Sequence, residues 1–187
     1  MNVLEAKRDL AKRTKRGLPV VLAGLIFWII ASIAGSILPE KYTVWVYLIG
    51  MGCVFPVGLM LAALLKIDMF AKGNPMGSLG GIIGAINVLN IPLVVFVYFQ
   101  MPEWLPFTVA VLVGVHFLPY VWIYESKSYG LLSVGTVLVT SICGVLLSEK
   151  GFIVIPIAVT AVYVITIVGL SIENKKVGNQ RNGKMTA

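Results

Sequence analysis

The chain has 187 residues, of which 58% are hydrophobic and only 12% charged, with a formal net charge of +7. Soluble domains are roughly 45–50% apolar and roughly 25% charged, so no water-soluble fold of this length hides so much apolar surface. Disorder, a collagen-like chain and a disulfide-stapled secreted domain fall to the same numbers.

The charges gather in the first 17 residues, the last 15 and a few short breaks. The leading segment mixes leucine and alanine with lysine and arginine. It reads either as a short amphipathic helix on the membrane surface or as a solvated basic tail. The apolar run that begins at Leu18, with Ser32, Ala34 and Gly35 near its end, has the outline of a cleavable leader. Hydrophobicity continues through Ile37 and Leu38, however, giving a full span that is expected to stay.

Six apolar segments follow, at 18–38, 44–65, 77–99, 104–124, 130–147 and 152–172. At about 1.5 Å per residue each helix spans a hydrocarbon core roughly 30 Å thick. Strands would alternate in polarity, which these segments do not. Helices leave no backbone group unpaired in lipid. The expected fold is therefore all-α and polytopic: six transmembrane helices arranged as three hairpins. A basic segment at 1–17 precedes the transmembrane domain at 18–172, and a basic tail at 173–187 follows it.

Lysine and arginine mark the cytoplasmic side because they resist translocation. The N-terminal segment, the second and fourth connections and the tail hold thirteen of them, including Arg181 and Lys184; the other connections hold only Lys41 and Lys150. Both termini are thus expected in the cytoplasm. The basic residues sit at span ends, where the bilayer's anionic headgroups are nearer partners than nucleic acid, which is not expected to bind. At 20.2 kDa the chain is small for a single-copy transporter, which leaves a homodimer as a further expectation.

The outward connections resemble one another: Pro39-Glu40-Lys41, Pro102-Glu103-Trp104 and Ser148-Glu149-Lys150. Pro56 follows Pro39 by 17 residues, as Pro119 follows Pro102, so a parallel repeat of hairpins offset by 63 residues is a candidate. Proline at 56 and 119 removes a helix hydrogen bond and is expected to bend those spans.

No Asp, Glu, Lys or Arg lies near a span centre. What does lie at mid-depth is Cys53, Asn87, Asn90, His116, Thr140 and Tyr163. Asn87 and Asn90 share a helix face with Gly80 and Gly84, and His116, the only histidine, reaches a similar depth on the next span. Ser133, Thr136 and Thr140 make a stripe on span five. Buried amides and imidazoles must find partners, so these groups either line a small wet cavity for a neutral or weakly basic solute or bond one another as interhelical glue. The corresponding roles are solute binding or transport on the one hand and a structural or sensory subunit on the other. One histidine and two distant cysteines make no metal site, no cofactor fingerprint is present, and no nucleophile stands next to a base, so an enzyme is not expected. Both cysteines are expected as buried free thiols. The 66–76 connection reads as a solvated turn or a gate, and Glu125 as a surface partner of Lys127.

The segments EAKRDLAKRTKRGLP, LAGLIFW and GVHFLPYVWIYESKSYG resemble a domain-of-unknown-function family of small multi-pass proteins of bacilli and related bacteria. The resemblance covers nearly the whole chain and implies a bacterial plasma membrane location, with no activity to carry over.

Overall fold

The computed structural model describes the backbone of residues 1–185 and the side chains of residues 1–176; the tail cations Arg181 and Lys184 lie outside the described side chains. All regular structure among the described residues is helical. Six stretches are long and apolar enough to cross a membrane: Lys15–Ile37, Glu40–Leu64, Pro75–Gln100, Pro102–Ile123, Lys127–Leu146 and Ser148–Lys176. They are numbered below as spans one to six.

A surface helix, α1 (Val3–Arg13), precedes them. Its start is fixed by a capping box in which Asn2 and Glu5 satisfy each other's backbone N–H groups. Span one is α2 (Leu18–Ile37) and span two is α3 (Glu40–Leu64). Span three is divided into α4 (Pro75–Leu89) and α5 (Ile91–Gln100), with Asn90 at the division. Span four is divided likewise into α6 (Leu105–His116) and α7 (Leu118–Ile123), with Phe117 between them. Span five is α8 (Lys127–Leu146), and span six lies in α9 (Gly151–Met185).

Spans one and six approach closely at Gly35. A Cβ on Gly35 would fall on the Phe152 carbonyl, so only glycine lets the two backbones meet there. Span five packs against spans four and six, and these helices bury Tyr163, Leu105, Leu132 and Ile155, all 2% exposed or less, while spans one and two bury Trp28 and Tyr47. Trp28 meets Phe27 and Tyr47 edge-on at ring separations of 4.9 and 6.1 Å, and Phe152 closes the cluster on Tyr47 at 5.7 Å. Nearer the termini, Phe117, Tyr120, Tyr124, Tyr129 and Tyr163 form a second aromatic column.

The three hairpins are not equivalent in their packing. Spans two and three lie at the periphery: 17% and 11% of their apolar stretches are buried in protein, against 39% for spans one and six. Their remaining surface is apolar, as lipid requires, with Ile49, Phe55, Ile82 and Phe96 more than half exposed. Cys53 belongs to this outward surface and is exposed, not buried as the sequence led one to expect, because span two turns that face away from its neighbours.

Pro56 does not divide its helix, since α3 continues through it, whereas Pro119 follows directly on the division in span four. Pro92, which carried no expectation of a bend, follows the division in span three in the same way.

Candidate functional site

Span three meets span four through Tyr120, whose hydroxyl donates to the Gly80 carbonyl at 2.9 Å and also lies beside Gly84. The two spans run antiparallel, so one turn back from Tyr120 on span four corresponds to one turn on from Gly84 on span three. That register gives His116 and Asn87 about the same depth on the two spans. Both residues are half-buried, and the His116 ring stands edge-on to Phe117 at 5.3 Å and to Tyr120 at 5.6 Å.

Neither residue is satisfied by protein. His116 Nδ1 and Asn87 Oδ1 are both buried without a hydrogen-bond partner. A buried polar atom left unpaired costs about 1–3 kcal/mol, and in lipid there is no water nearby to relieve it. Each sits within three residues of a helix division, His116 next to Phe117 and Asn87 before Asn90. Prolines 92 and 119 each lack the N–H that would continue the ladder across the division. Discontinuous helices with polar side chains at mid-depth are the arrangement by which membrane proteins build solute sites.

The other expected residues lie elsewhere. Thr140 is fully buried, and with Thr136 it faces span four; both hydroxyls lack a partner. Thr136 packs beside Gly114, on the far side of span four from span three. Tyr163 is buried against Phe117 and Gly24. Asn90 is half-buried and makes no side-chain capping bond. Cys53 points away from all of them. Of the six residues, His116 and Asn87 thus share a depth on neighbouring spans, with Asn90 one turn on from Asn87, while Thr140 and Tyr163 are buried among other spans and Cys53 is exposed. Tyr47, with an unpartnered hydroxyl in the opposite half of the bundle, was not signalled by sequence, because a tyrosine near a span end reads as an interface residue.

A second set of polar contacts joins the end of the bundle that carries both termini. Residues Lys15, Arg16 and Gly17 turn the chain from α1 into span one with φ of 49, 53 and 68°. The turn is held from span five by the Tyr129 hydroxyl, which donates to the Arg16 carbonyl at 2.7 Å. From span six, Asn174 accepts from Arg16 at 2.7 Å and donates to the Lys15 carbonyl at 3.0 Å. Glu173 faces the Arg16 guanidinium at 3.5 Å and accepts from the Ser128 hydroxyl at 2.8 Å. Glu125 pairs with Lys7 at 3.9 Å, and not with Lys127, because α1 lies over it; the Lys7 ammonium also caps the Trp122 ring at 3.8 Å from its centre.

Six membrane-crossing helices, closed at one end by a docked amphipathic helix, define a multi-pass membrane protein. Residues 3–173 match the model of DUF7010, a family of unknown function, and the chain belongs to that family. The match therefore includes α1 as well as Glu173, which faces Arg16 in the turn after it. No curated protein and no solved structure matches the chain.

Proposed function

We propose that the protein binds a small polar solute at mid-depth between spans three and four, with His116 and Asn87 as the groups that hold it. The observation that carries this reading is the pair of unpartnered polar atoms in one register across that interface. Interhelical cohesion, the competing role, is already supplied at the same interface by Tyr120 and the Gly80 carbonyl. An amide oxygen accepts, and an imidazole nitrogen donates or accepts according to its tautomer, so the ligand class is a hydrogen-bond donor such as a small amine or alcohol. With no carboxylate and no activated nucleophile beside them, the role is binding or passage, not bond chemistry.

The basic end faces the cytoplasm of a bacterial plasma membrane in this reading, on the strength of the lysine and arginine distribution and of the resemblance noted above. Exposed cations there, Arg8, Lys12, Lys66 and Lys127 among them, meet anionic headgroups.

Asn87→Leu and His116→Phe distinguish a site from glue. A group kept unsatisfied for a ligand is a burden to the empty protein, so each apolar replacement is expected to stabilise the ligand-free form by about 1 kcal/mol. Thermal unfolding in detergent reads the change. Screening small amines, amides and alcohols on the same proteins then seeks a thermal shift that the wild type shows and both variants lose. If both substitutions lower the unfolding midpoint, the two residues are cohesive and the site reading is wrong.

A further inference from the structure

We infer that α1 is a latch: it fixes the near end of span three against span four, and its release lets the α4 half of span three move and opens the gap between His116 and Asn87 to water. The second half of this inference rests on the site described under Proposed function; the first half does not.

The latch is built from named contacts. Helix α1 buries Ala6, Lys7, Leu10 and Ala11 and keeps Glu5, Arg8 and Lys12 outward. One residue, Asn74, joins it to span three. The Asn74 side chain accepts from the Met76 N–H at 2.9 Å and so caps α4. Its amide nitrogen simultaneously donates to the Ala6 carbonyl and to the Asp9 carboxylate, both at 2.8 Å. Leu10 packs over Gly77 in the first turn of α4. Arg13 reaches the connection between spans two and three, pairing with Asp68 at 2.6 Å and donating to the Lys72 carbonyl at 3.1 Å. Lys7, on the same helix, holds Glu125 and Trp122 at the end of span four. Helix α1 thus ties together the two spans between which the site lies.

Span three depends on that tie more than any other span does. It is the least buried of the six. Within the bundle it packs chiefly on span four, and the division at Asn90 supplies a joint about which α4 can turn while α5 stays.

One backbone conformation, at Ala71, points the same way. Five non-glycine residues among the described ones have left-handed φ: Lys15, Arg16, Lys66, Ala71 and Glu125. All five lie in α1's own exit turn or in the connections α1 holds. Such conformations are disfavoured for L residues and persist where surrounding contacts impose them. Lys66 and Glu125 owe theirs to the C-caps of α3 and α7, closed by the Ile67 N–H on the Ala62 carbonyl and the Ser126 N–H on the Val121 carbonyl, and Arg16 to Tyr129 and Asn174. Ala71, whose N–H donates to the Asp68 carboxylate that Arg13 pairs with, is the one that leans on α1.

The test uses full-length protein in lipid nanodiscs and hydrogen–deuterium exchange read by mass spectrometry. Arg13→Gln removes the tie to the connection before span three and leaves the α4 cap in place, whereas Asn74→Ala removes the α4 cap together with the tie to Ala6 and Asp9. The charge-swapped double variant Arg13→Asp with Asp68→Arg restores the tie. Both single variants are expected to raise amide exchange across 77–89 at least tenfold, with 18–37 and 151–170 unchanged and the swap returning 77–89 towards wild type. Exchange at Cε1 of His116, the only imidazole in the chain, is expected to quicken in the same variants as water reaches it. Unchanged exchange over 77–89 when α1 is free would overturn the latch, as would a uniform rise over all six spans. A rise over 77–89 with no change at His116 would overturn the opening of the gap. The site itself stands or falls separately, on the stability and ligand shifts of Asn87→Leu and His116→Phe.

Discussion

Arg13 and Asp68 show what single residues contribute at the basic end. The Arg13 guanidinium donates to Asp68 at 2.6 and 3.0 Å, which holds the Asp68 carboxyl below the ordinary 3.8 of an aspartate, and the Ala71 N–H at 3.0 Å adds to the effect. Arg13 is raised in turn, chiefly by the same hydrogen bond, and stays charged throughout. A carboxylate whose pKa is depressed on folding stabilises the fold above its unfolded value and ceases to do so as the pH falls through its folded value. The pair is therefore expected to hold unchanged from about pH 5 to about pH 9 and to loosen only below about pH 4. Both groups are solvent-exposed, so salt weakens the pair as well. Exchange of the 66–74 amides, corrected for the intrinsic pH dependence of exchange, checks this; a loosening centred near neutrality would contradict the assignment. Nothing in the sequence marked this pair. Asp68 and Asn74 are common turn residues, and a basic amphipathic helix has the same residue pattern whether it lies on lipid or on protein. His116 and Asn87 were legible, because depth in a span follows from counting residues and polarity at that depth is rare.

Helices were legible almost to the residue where lipid alone decides them, as at the Ile37 and Leu64 ends of spans one and two. Their divisions were not. Prolines 56, 92, 119 and 156 each remove one N–H, yet only spans three and four are divided, while α3 and α9 continue through Pro56 and Pro156. The local effect being the same, the neighbours decide the outcome, and neighbours are not written in the local sequence. The Gly35 crossing is a similar case: the small residues of span one were visible, but not that Gly35 alone meets a backbone carbonyl of span six. Gly35→Ala must push spans one and six apart against a packed interface, and we expect a loss of about 3 kcal/mol, read as a lower unfolding midpoint in detergent. Ala31, fully buried one turn earlier, serves as a comparison: Ala31→Gly leaves the crossing intact and is expected to cost about 1 kcal/mol. Equal losses in the two variants would mean that the crossing is not where the spans are closest.

At the scale of the whole molecule the chain divides into a centre and a periphery. Spans one, four, five and six are the most buried, and Arg16, Tyr129, Glu173 and Asn174 tie the ends of spans one, five and six. Spans two and three are held by fewer neighbours and face lipid over most of their surface. Composition could announce six spans and a lipid solvent, but not this ranking, since all six are apolar and the order follows from which faces meet. Opening free energies in a folded protein rise with the number of buried contacts that must be broken, so the ranking predicts an order of exchange. Amides of α2, α8 and the 151–170 part of α9 should be the most protected, α6 close behind them, and α4 the least protected of all. For the proposed site the order has a consequence, because a solute bound there would need only the cheapest opening in the molecule, that of α4 away from α6 and α7. Native-state exchange on the wild-type protein in nanodiscs reads the order directly. Protection of α4 equal to that of α2 would mean that span three is as firmly seated as the centre, and the route to the site would have to lie elsewhere.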